Sequence, residues 1–297
     1  MSERVADFYD LLSADYHSMY ANWRSEVLRQ GKILDALIWH HLGERQVSVL
    51  DCTCGIGTQA IGLATCGYNV YATDLAAAAV KRAQREAESF GVEIPFAVAD
   101  IRFLDSVVTH TFDVVLSCDN SISHLMDDAE LLQAAGQIRG RLKPDGIFLA
   151  TIRDYDQVIQ ERQASTGNTA PLPGVAGADA STRMQPTLPR VFQEPQGQRI
   201  VFQIWDWTDD NRSYTLQHFH MQRHHDRWEV QCYTTRYRAL LRADLSRILE
   251  QAGFADIVWL MPEESGYYQP VVLAHNPGPS RLRLPASPQN WEKAASL

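Results

Sequence analysis

Three aspartates close three short apolar runs in succession. Asp51 ends VSVLD, Asp74 ends NVYATD and Asp100 ends IPFAVAD. If the runs are neighbouring parallel strands, the carboxylates lie along one rim of a sheet, where they can accept hydrogen bonds from the hydroxyls and amines of a ligand. Any one of them could simply cap a helix, since Asp is a favoured N-cap. Three on one rim favour a ligand. After the first, CTCGIGTQA places Gly55 and Gly57 in the turn before a helix, a unit that brings backbone N–H groups close to a bound group. The spacing Gly55-x-Gly57-x-x-Ala60 also fits a dinucleotide-binding loop, so the loop alone does not choose the ligand. A fourth run, FDVVL at 112–116, opens directly into SCDNSISHL at 117–125. It sets Asp119, Asn120, Ser121 and His124 at the mouth of a core strand, where a plain turn built from Asp, Asn and Ser competes with a site.

The elements that must hold these residues alternate. Strand-like runs around 47–51, 69–74, 94–100, 112–118 and 147–152 are separated by helical stretches, which predicts a parallel sheet covered by helices on both faces. Residues 1–42 precede it as a helical cap, and 43–162 form the α/β core. From 163 to 198 the chain is rich in Pro, Gly, Ser, Thr and Gln without a period, and reads as a long loop or lid. RIVFQIWDW, SYTLQHFHMQ and RWEVQCYTTRY then alternate with period two and predict a three-stranded antiparallel meander, so that 163–238 form an insertion on the core. A helix and two strands return to the core over 239–277, and 278–297 read as a loose tail.

Bulk properties narrow the function. Net charge is -9 over 297 residues, which disfavours a phosphate-tracking, nucleic-acid-binding surface. No run approaches the roughly 20 apolar residues of a membrane span, and MSERVADFYD lacks the basic and apolar regions of a signal peptide. Cys52, Cys54, Cys66, Cys118 and Cys232 have neither zinc-like nor disulfide-framework spacing, so free thiols in a reducing cytoplasm are expected and no metal is.

LDCTCGIGT, ATD, ADIR, FDVVLS and LKPDGIFL, in that order, resemble the motifs of class I S-adenosylmethionine-dependent methyltransferases. The resemblance implies a Rossmann-like sheet and S-adenosyl-L-methionine as cofactor. Thr53, Gly55 and Gly57, with Cys118, would surround its methionine part. Asp74 would take the ribose, and Asp100 with Ile101 the adenine. The helical cap, CDNSISHL, TIRDYD and the insertion look similar to glycine N-methyltransferase and glycine/sarcosine methyltransferases. That similarity implies Asn120 and His124 beside the methyl group and Arg153 on a substrate carboxylate. It also implies Tyr237 in the pocket, and Tyr16, Tyr20 and Arg24 closing the cap over the cofactor. Guanidinium suits a carboxylate because two parallel N–H groups match its two oxygens, and Asn can both accept from an amine and donate to a carboxylate. Val201 and Phe202 stand where the family places hydroxyls, which shifts the expected substrate from glycine itself toward a larger or more apolar amine or amino acid. Two other outcomes share these residues: a lyase or cyclase that releases methylthioadenosine from the cofactor, and a non-catalytic cofactor-binding subunit, either with or without homo-oligomer assembly. A nicotinamide-dependent oxidoreductase fits less well, because ADIR has no role in it.

Overall fold

The computed structural model describes residues 2–43, 47–166, 184–194, 197–225 and 227–278. Two helices, α1 (Ser2–Leu12) and α2 (Trp23–Leu42), are joined by a 3-10 turn at Tyr16–Met19. There follow β1 (Ser48–Asp51), α3 (Thr58–Thr65), β2 (Asn69–Asp74), α4 (Ala77–Phe90), β3 (Phe96–Val98) and β4 (Phe112–Ser117). Helix α5 (Asp128–Gly140), β5 (Leu142–Thr151) and α6 (Tyr155–Thr166) lead to the insertion strands β6 (Met184–Pro186), β7 (Arg190–Glu194), β8 (Gly197–Trp207), β9 (Ser213–His224) and β10 (Arg227–Arg238). The chain returns through α7 (Arg242–Gln251), β11 (Ala255–Leu260), α8 (Pro262–Ser265) and β12 (Val271–His275).

The main sheet has seven strands in the order β11-β12-β5-β4-β1-β2-β3. Strands β1 to β5 pair in parallel, as the alternation requires, but β12 runs antiparallel to both β5 and β11, so the sheet is mixed. Alternate residues of one strand feed opposite faces. Val49 packs with Leu34 and Ile38 of α2 and Leu63 of α3, whereas Leu50 packs with Leu131 and Ile138 of α5 and Leu245 of α7. Each such side chain, fully buried, contributes roughly 2 kcal/mol. Helices α2 and α3 touch backbone to backbone. A Cβ on Gly62 would lie 2.5 Å from the Val27 carbonyl, so this crossing requires glycine.

Two expectations change. The fifth strand does not wait for residue 147: β5 starts at Leu142 and takes KPDG into the strand, with Asp145 in the left-handed region at φ 63. The insertion sheet has five strands rather than three, because β6 and β7 both pair with the same edge of β8. The period-two signal is too short in MQP and RVFQE to mark them as strands, and their edge pairing is supplied by β8. The segment expected as one long loop therefore begins inside α6 and ends in two strands, while 167–183 lies outside the described residues, as does the tail from 279.

The buried face of the insertion sheet carries Trp205 and Trp207 of β8, Tyr214, Leu216 and His218 of β9, and Thr235 and Tyr237 of β10. It faces α1, whose Phe8 and Leu12 pack into the same cluster. The cap is fastened to the core rim as well. The Ala78 N–H donates to Asp10 Oδ1 at 2.7 Å, and Arg82 Nη1 donates to the carbonyls of Ser13 and Ala14 at 2.6 Å. α1 is thus held between the C-terminal rim of the main sheet and the insertion.

Candidate active site

The turns after β1, β2, β3 and β4 wall a cavity of about 930 Å³ at the C-terminal rim of the main sheet. Thr53 and Gly55 come from the first turn, Asp74 from the second, Asp100 and Ile101 from the third, and Asp119 and His124 from the fourth, with Tyr9 and Tyr16 of the cap above. Asp74 is fixed by backbone: Oδ2 accepts the Gly55 N–H at 2.8 Å and Oδ1 the Ala76 N–H at 2.9 Å. Burial raises its carboxyl above the ordinary range, partly offset by those bonds. Asp100 is also buried at its base, but hydrogen bonds from Arg102 outweigh burial and hold it below the ordinary carboxylate value. Beneath the loop, Asp51 is 1% exposed; Oδ1 accepts from the Thr53 N–H at 3.3 Å while Oδ2 has no partner among the described residues. Burial pushes its carboxyl up to about 8.

A second cavity, about 1350 Å³, lies between the cap, the core and the insertion sheet. Arg153 lines it just beyond β5. Its guanidinium donates to the Tyr214 hydroxyl and lies 4.6 Å from the Trp205 ring centroid and 5.5 Å from that of Tyr237. Among the described residues it forms no ion pair. Asp154 and Asp156, the acids closest to it in sequence, are held instead by Arg242. A guanidinium stays charged at any ordinary pH, so a half-buried cation that forms no ion pair faces this cavity.

Tyr9, Tyr16 and Asp119 line both cavities and form the wall between them. The Asp119 carboxylate accepts three hydrogen bonds: from Tyr267 at 2.7 Å, Tyr268 at 2.6 Å and Gln59 at 2.8 Å. His124 Nδ1 lies 3.0 Å from the Arg236 carbonyl, which can only accept, so Nδ1 carries the hydrogen and Nε2 accepts from the Tyr9 hydroxyl at 2.9 Å. The Tyr237 hydroxyl lies 3.1 Å from Tyr9 and donates to it. His124 keeps part of its ring open to the cavity, yet the dense protein around it pushes its imidazolium down to about 4. It is a neutral acceptor that orients Tyr9.

Several expected residues sit elsewhere. Asn120 lines neither cavity; it is 2% exposed and hydrogen-bonded inside the protein. Its Oδ1 accepts from the Ser123 hydroxyl and the Arg153 N–H, and its Nδ2 donates to Tyr155, whose hydroxyl shares a 3.0 Å bond with Tyr214. It therefore holds the backbone of Arg153 from behind the cavity wall. Arg24 points away, stacked on Phe90 and bonded to Ser89, because the cap's contact with α4 draws it outward. Cys118 is packed under the rim, its thiol raised by burial and by Asp119. Tyr20 lines only the second cavity. Gly57 shapes the turn without forming a wall: it is left-handed at φ 93, and a Cβ there would meet Ile61 Cδ1 at 2.8 Å. Thr53, Gly55, Asp74, Asp100, Ile101, Tyr16 and His124 line the first cavity, and Arg153 and Tyr237 the second.

Asp119 and Tyr9 join the wall without a local sequence signal: the partners of Asp119, Tyr267 and Tyr268, are about 150 residues away, and Tyr9 is set apart from the other cap aromatics only by the docking of α1.

Residues 49–146 match the family described as a methyltransferase domain. A glycine/sarcosine N-methyltransferase of Parasynechococcus marenigrum is 30% identical over 158 residues, 53% of this chain and 53% of that protein. One from Aphanothece halophytica is 25% identical over 140 residues, 47% and 52% of the two chains. The chain thus spans about half the length of the curated relatives it matches. Among solved structures, an S-adenosylmethionine-bound amino pentose methyltransferase of Micromonospora echinaspora superposes with a TM-score of 0.64 at 16% identity, covering 90% of this chain and 96% of that one. An S-adenosylmethionine-dependent methyltransferase of Clostridium acetobutylicum gives 0.60 at 18%, covering 83% and 92%. The fold is shared with S-adenosylmethionine-dependent methyltransferases and residues 49–146 match a methyltransferase domain, with the antiparallel sheet as an addition to the core.

The first cavity fits that cofactor. Each Asp74 oxygen spends one acceptor site on backbone and retains capacity for a ribose hydroxyl. A Cβ at Gly55 would meet no protein atom within 4 Å, which leaves a cradle on the cavity side of the loop. Ile101 offers an apolar wall on which an adenine could pack.

Proposed function

We propose that the protein is an N-methyltransferase acting on a small amine that bears a carboxylate, with S-adenosylmethionine in the first cavity and the amine in the second. The observation that carries this reading is Arg153: a half-buried guanidinium with no ion pair among the described residues, in a cavity that adjoins the cofactor cavity. Burying a charge without a partner is costly, and an incoming carboxylate removes that cost with two parallel bonds. The partial likeness to glycine/sarcosine N-methyltransferases favours the same substrate type.

When bound, S-adenosylmethionine supplies a methyl group on a sulfonium, open to in-line displacement by nitrogen. The chain's own residues then have three tasks. Arg153, set by Asn120 and Tyr214, fixes the carboxylate end. Alignment of this kind can be worth roughly 7–11 kcal/mol. Tyr9 and Tyr237, tied to neutral His124, set the wall across which the nitrogen approaches. Asp119 offers the carboxylate that faces both cavities and holds the amine, or the proton the amine gives up. The aromatic rings of Tyr9 and Tyr16 complete the wall beside the positive charge.

Incubating the protein with S-adenosylmethionine and a pool of amino acids and small amines, followed by mass spectrometry, tests the reading. S-adenosylhomocysteine and one amine heavier by a methyl group are expected. Methylthioadenosine formed without added amine would overturn the methyl-transfer chemistry and point to cofactor cleavage.

A further inference from the structure

We infer that the second cavity recognises a second oxygen acceptor on its amine, roughly 7 Å beyond the carboxylate held by Arg153, and that His218 is the residue that selects it. This deepens the reading above and rests on it.

His218 is 1% exposed, lies on β9 and lines the second cavity, yet its Nε2 has no hydrogen-bond partner among the described residues. Its tautomer follows from its neighbours. Trp205 Nε1 can only donate, and it lies 3.0 Å from Gln203 Oε1, which fixes the orientation of that amide. Gln203 Nε2 is therefore the group turned toward His218 Nδ1, at 3.5 Å, so Nδ1 accepts and the hydrogen sits on Nε2. The ring is held by this contact and by the Tyr233 ring at 6.5 Å, itself tied to Asp15 through its hydroxyl. Burial, with His220, Arg190 and Arg153 nearby, pushes the imidazolium down to about 4, so a neutral ring presents one N–H. A buried donor without an acceptor costs stability unless a ligand completes it.

The register sets the distance. On the buried face, Trp207 pairs with Tyr214, Trp205 with Leu216, and Gln203 with His218. Arg153 lies over Trp205, and His218 belongs to the next step along the face, two residues or about 7 Å beyond the Trp205–Leu216 pair. Tyr214, which Arg153 bonds, lies one step on the other side of that pair. Glycine cannot reach both groups. Arg190 of β7 lines the same end of the cavity from an exposed position and adds positive charge there.

The test measures binding without turnover. In saturating S-adenosylhomocysteine, titration calorimetry follows glycine, L-norvaline, L-glutamine and L-glutamate on the wild type, His218→Phe and His218→Gln. Glutamine and glutamate are expected to bind about tenfold more tightly than norvaline, the loss in His218→Phe to erase that margin, and the donor in His218→Gln to restore most of it. A further margin of glutamate over glutamine reads the charge of Arg190; equal binding assigns a neutral acceptor. Unchanged S-adenosylhomocysteine affinity certifies that both variants are folded. Norvaline binding as well as glutamine, or a margin that survives His218→Phe, overturns this inference and leaves the carboxylate reading intact. Failure of all four amines to bind, with Arg153→Ala indifferent to every amine turned over, sinks both.

Discussion

The two cavities are built by different means. Most polar walls of the first, apart from the cap, come from turns that follow parallel strands, with Gln59 of α3 and Glu130 of α5 beside them, and its key carboxylate is fixed by N–H groups of its own and the neighbouring turn. The second draws on α1, the rim of the core and a sheet inserted between β5 and α7, and its key cation is fixed by side chains 33 to 61 residues away. The first is a property of the backbone topology and the second of side-chain packing. A fold of this kind can therefore keep the first cavity while the second is reshaped through the insertion that lines part of it.

If that contrast holds, each site breaks separately. Replacing Arg153 with Ala is the largest single change on the acceptor side. It removes both bonds to a carboxylate and should lower kcat/KM for a carboxylate-bearing amine about 100- to 1,000-fold, mainly through KM. Affinity for S-adenosylhomocysteine, measured by calorimetry, should stay within about twofold. A parallel collapse of cofactor affinity would show that the two cavities are one unit. The converse change is Asp74→Ala. Loss of charge-assisted bonds to two ribose hydroxyls should weaken S-adenosylhomocysteine about 30-fold. The KM of the amine, taken at saturating cofactor, should hardly move.

The same contrast explains what could be read in the sequence. Asp51 and Asp74 end strands and Asp100 follows the third by two residues; strand ends are legible from apolar runs, so the first cavity was visible in outline with Thr53, Gly55 and Ile101. Arg153, given by the resemblance, follows a strand as well and lines the second cavity. The inward turn of the Asn120 amide onto Arg153 and Tyr155 is set by tertiary packing and leaves no local signal. The same holds for the contacts of Asp119 and Tyr9, whose partners are far off in the chain. The strands β6 and β7 lack a pattern of their own and exist because β8 offers them an edge.

Protonation offers a third way to separate the regions. Under the first cavity, Asp51 is held with its carboxyl near 8 against an unfolded value near 4. A folded value raised above the unfolded one means that the native state binds the extra proton, so stability is lost as pH rises toward 8. His218 in the second cavity and His124 beside the first are both depressed to about 4, so the unfolded state binds these protons and stability is lost as pH falls below about 6.5. Between pH 6.5 and 8 these histidines are neutral in both states and, of the three groups, Asp51 alone contributes. Without cofactor, urea midpoints should then report a loss approaching about 1.4 kcal/mol per pH unit from this group. Asp51→Asn, which imitates the protonated acid, should flatten that slope and leave the acid limb in place. An unchanged slope in the variant would mean that Asp51 is ionised in the folded protein.

The smallest effect should come from the residue both cavities share. Tyr9 donates to His124 on the cofactor side and accepts from Tyr237 on the amine side, so Tyr9→Phe removes one hydroxyl and breaks two bonds at once. Each neutral bond is worth roughly 1 kcal/mol, and His124 and Tyr237 can each turn to solvent or ligand in the space the hydroxyl leaves. A loss of about three- to fivefold is expected in S-adenosylhomocysteine affinity and in the KM of the amine together. Arg153→Ala and Asp74→Ala are each expected to move only one of these quantities. A Tyr9→Phe variant that moved one quantity alone would place Tyr9 inside that cavity and not on the wall between them. The wall would then reduce to Tyr16 and Asp119, and the path of the methyl group would have to run past the Asp119 carboxylate.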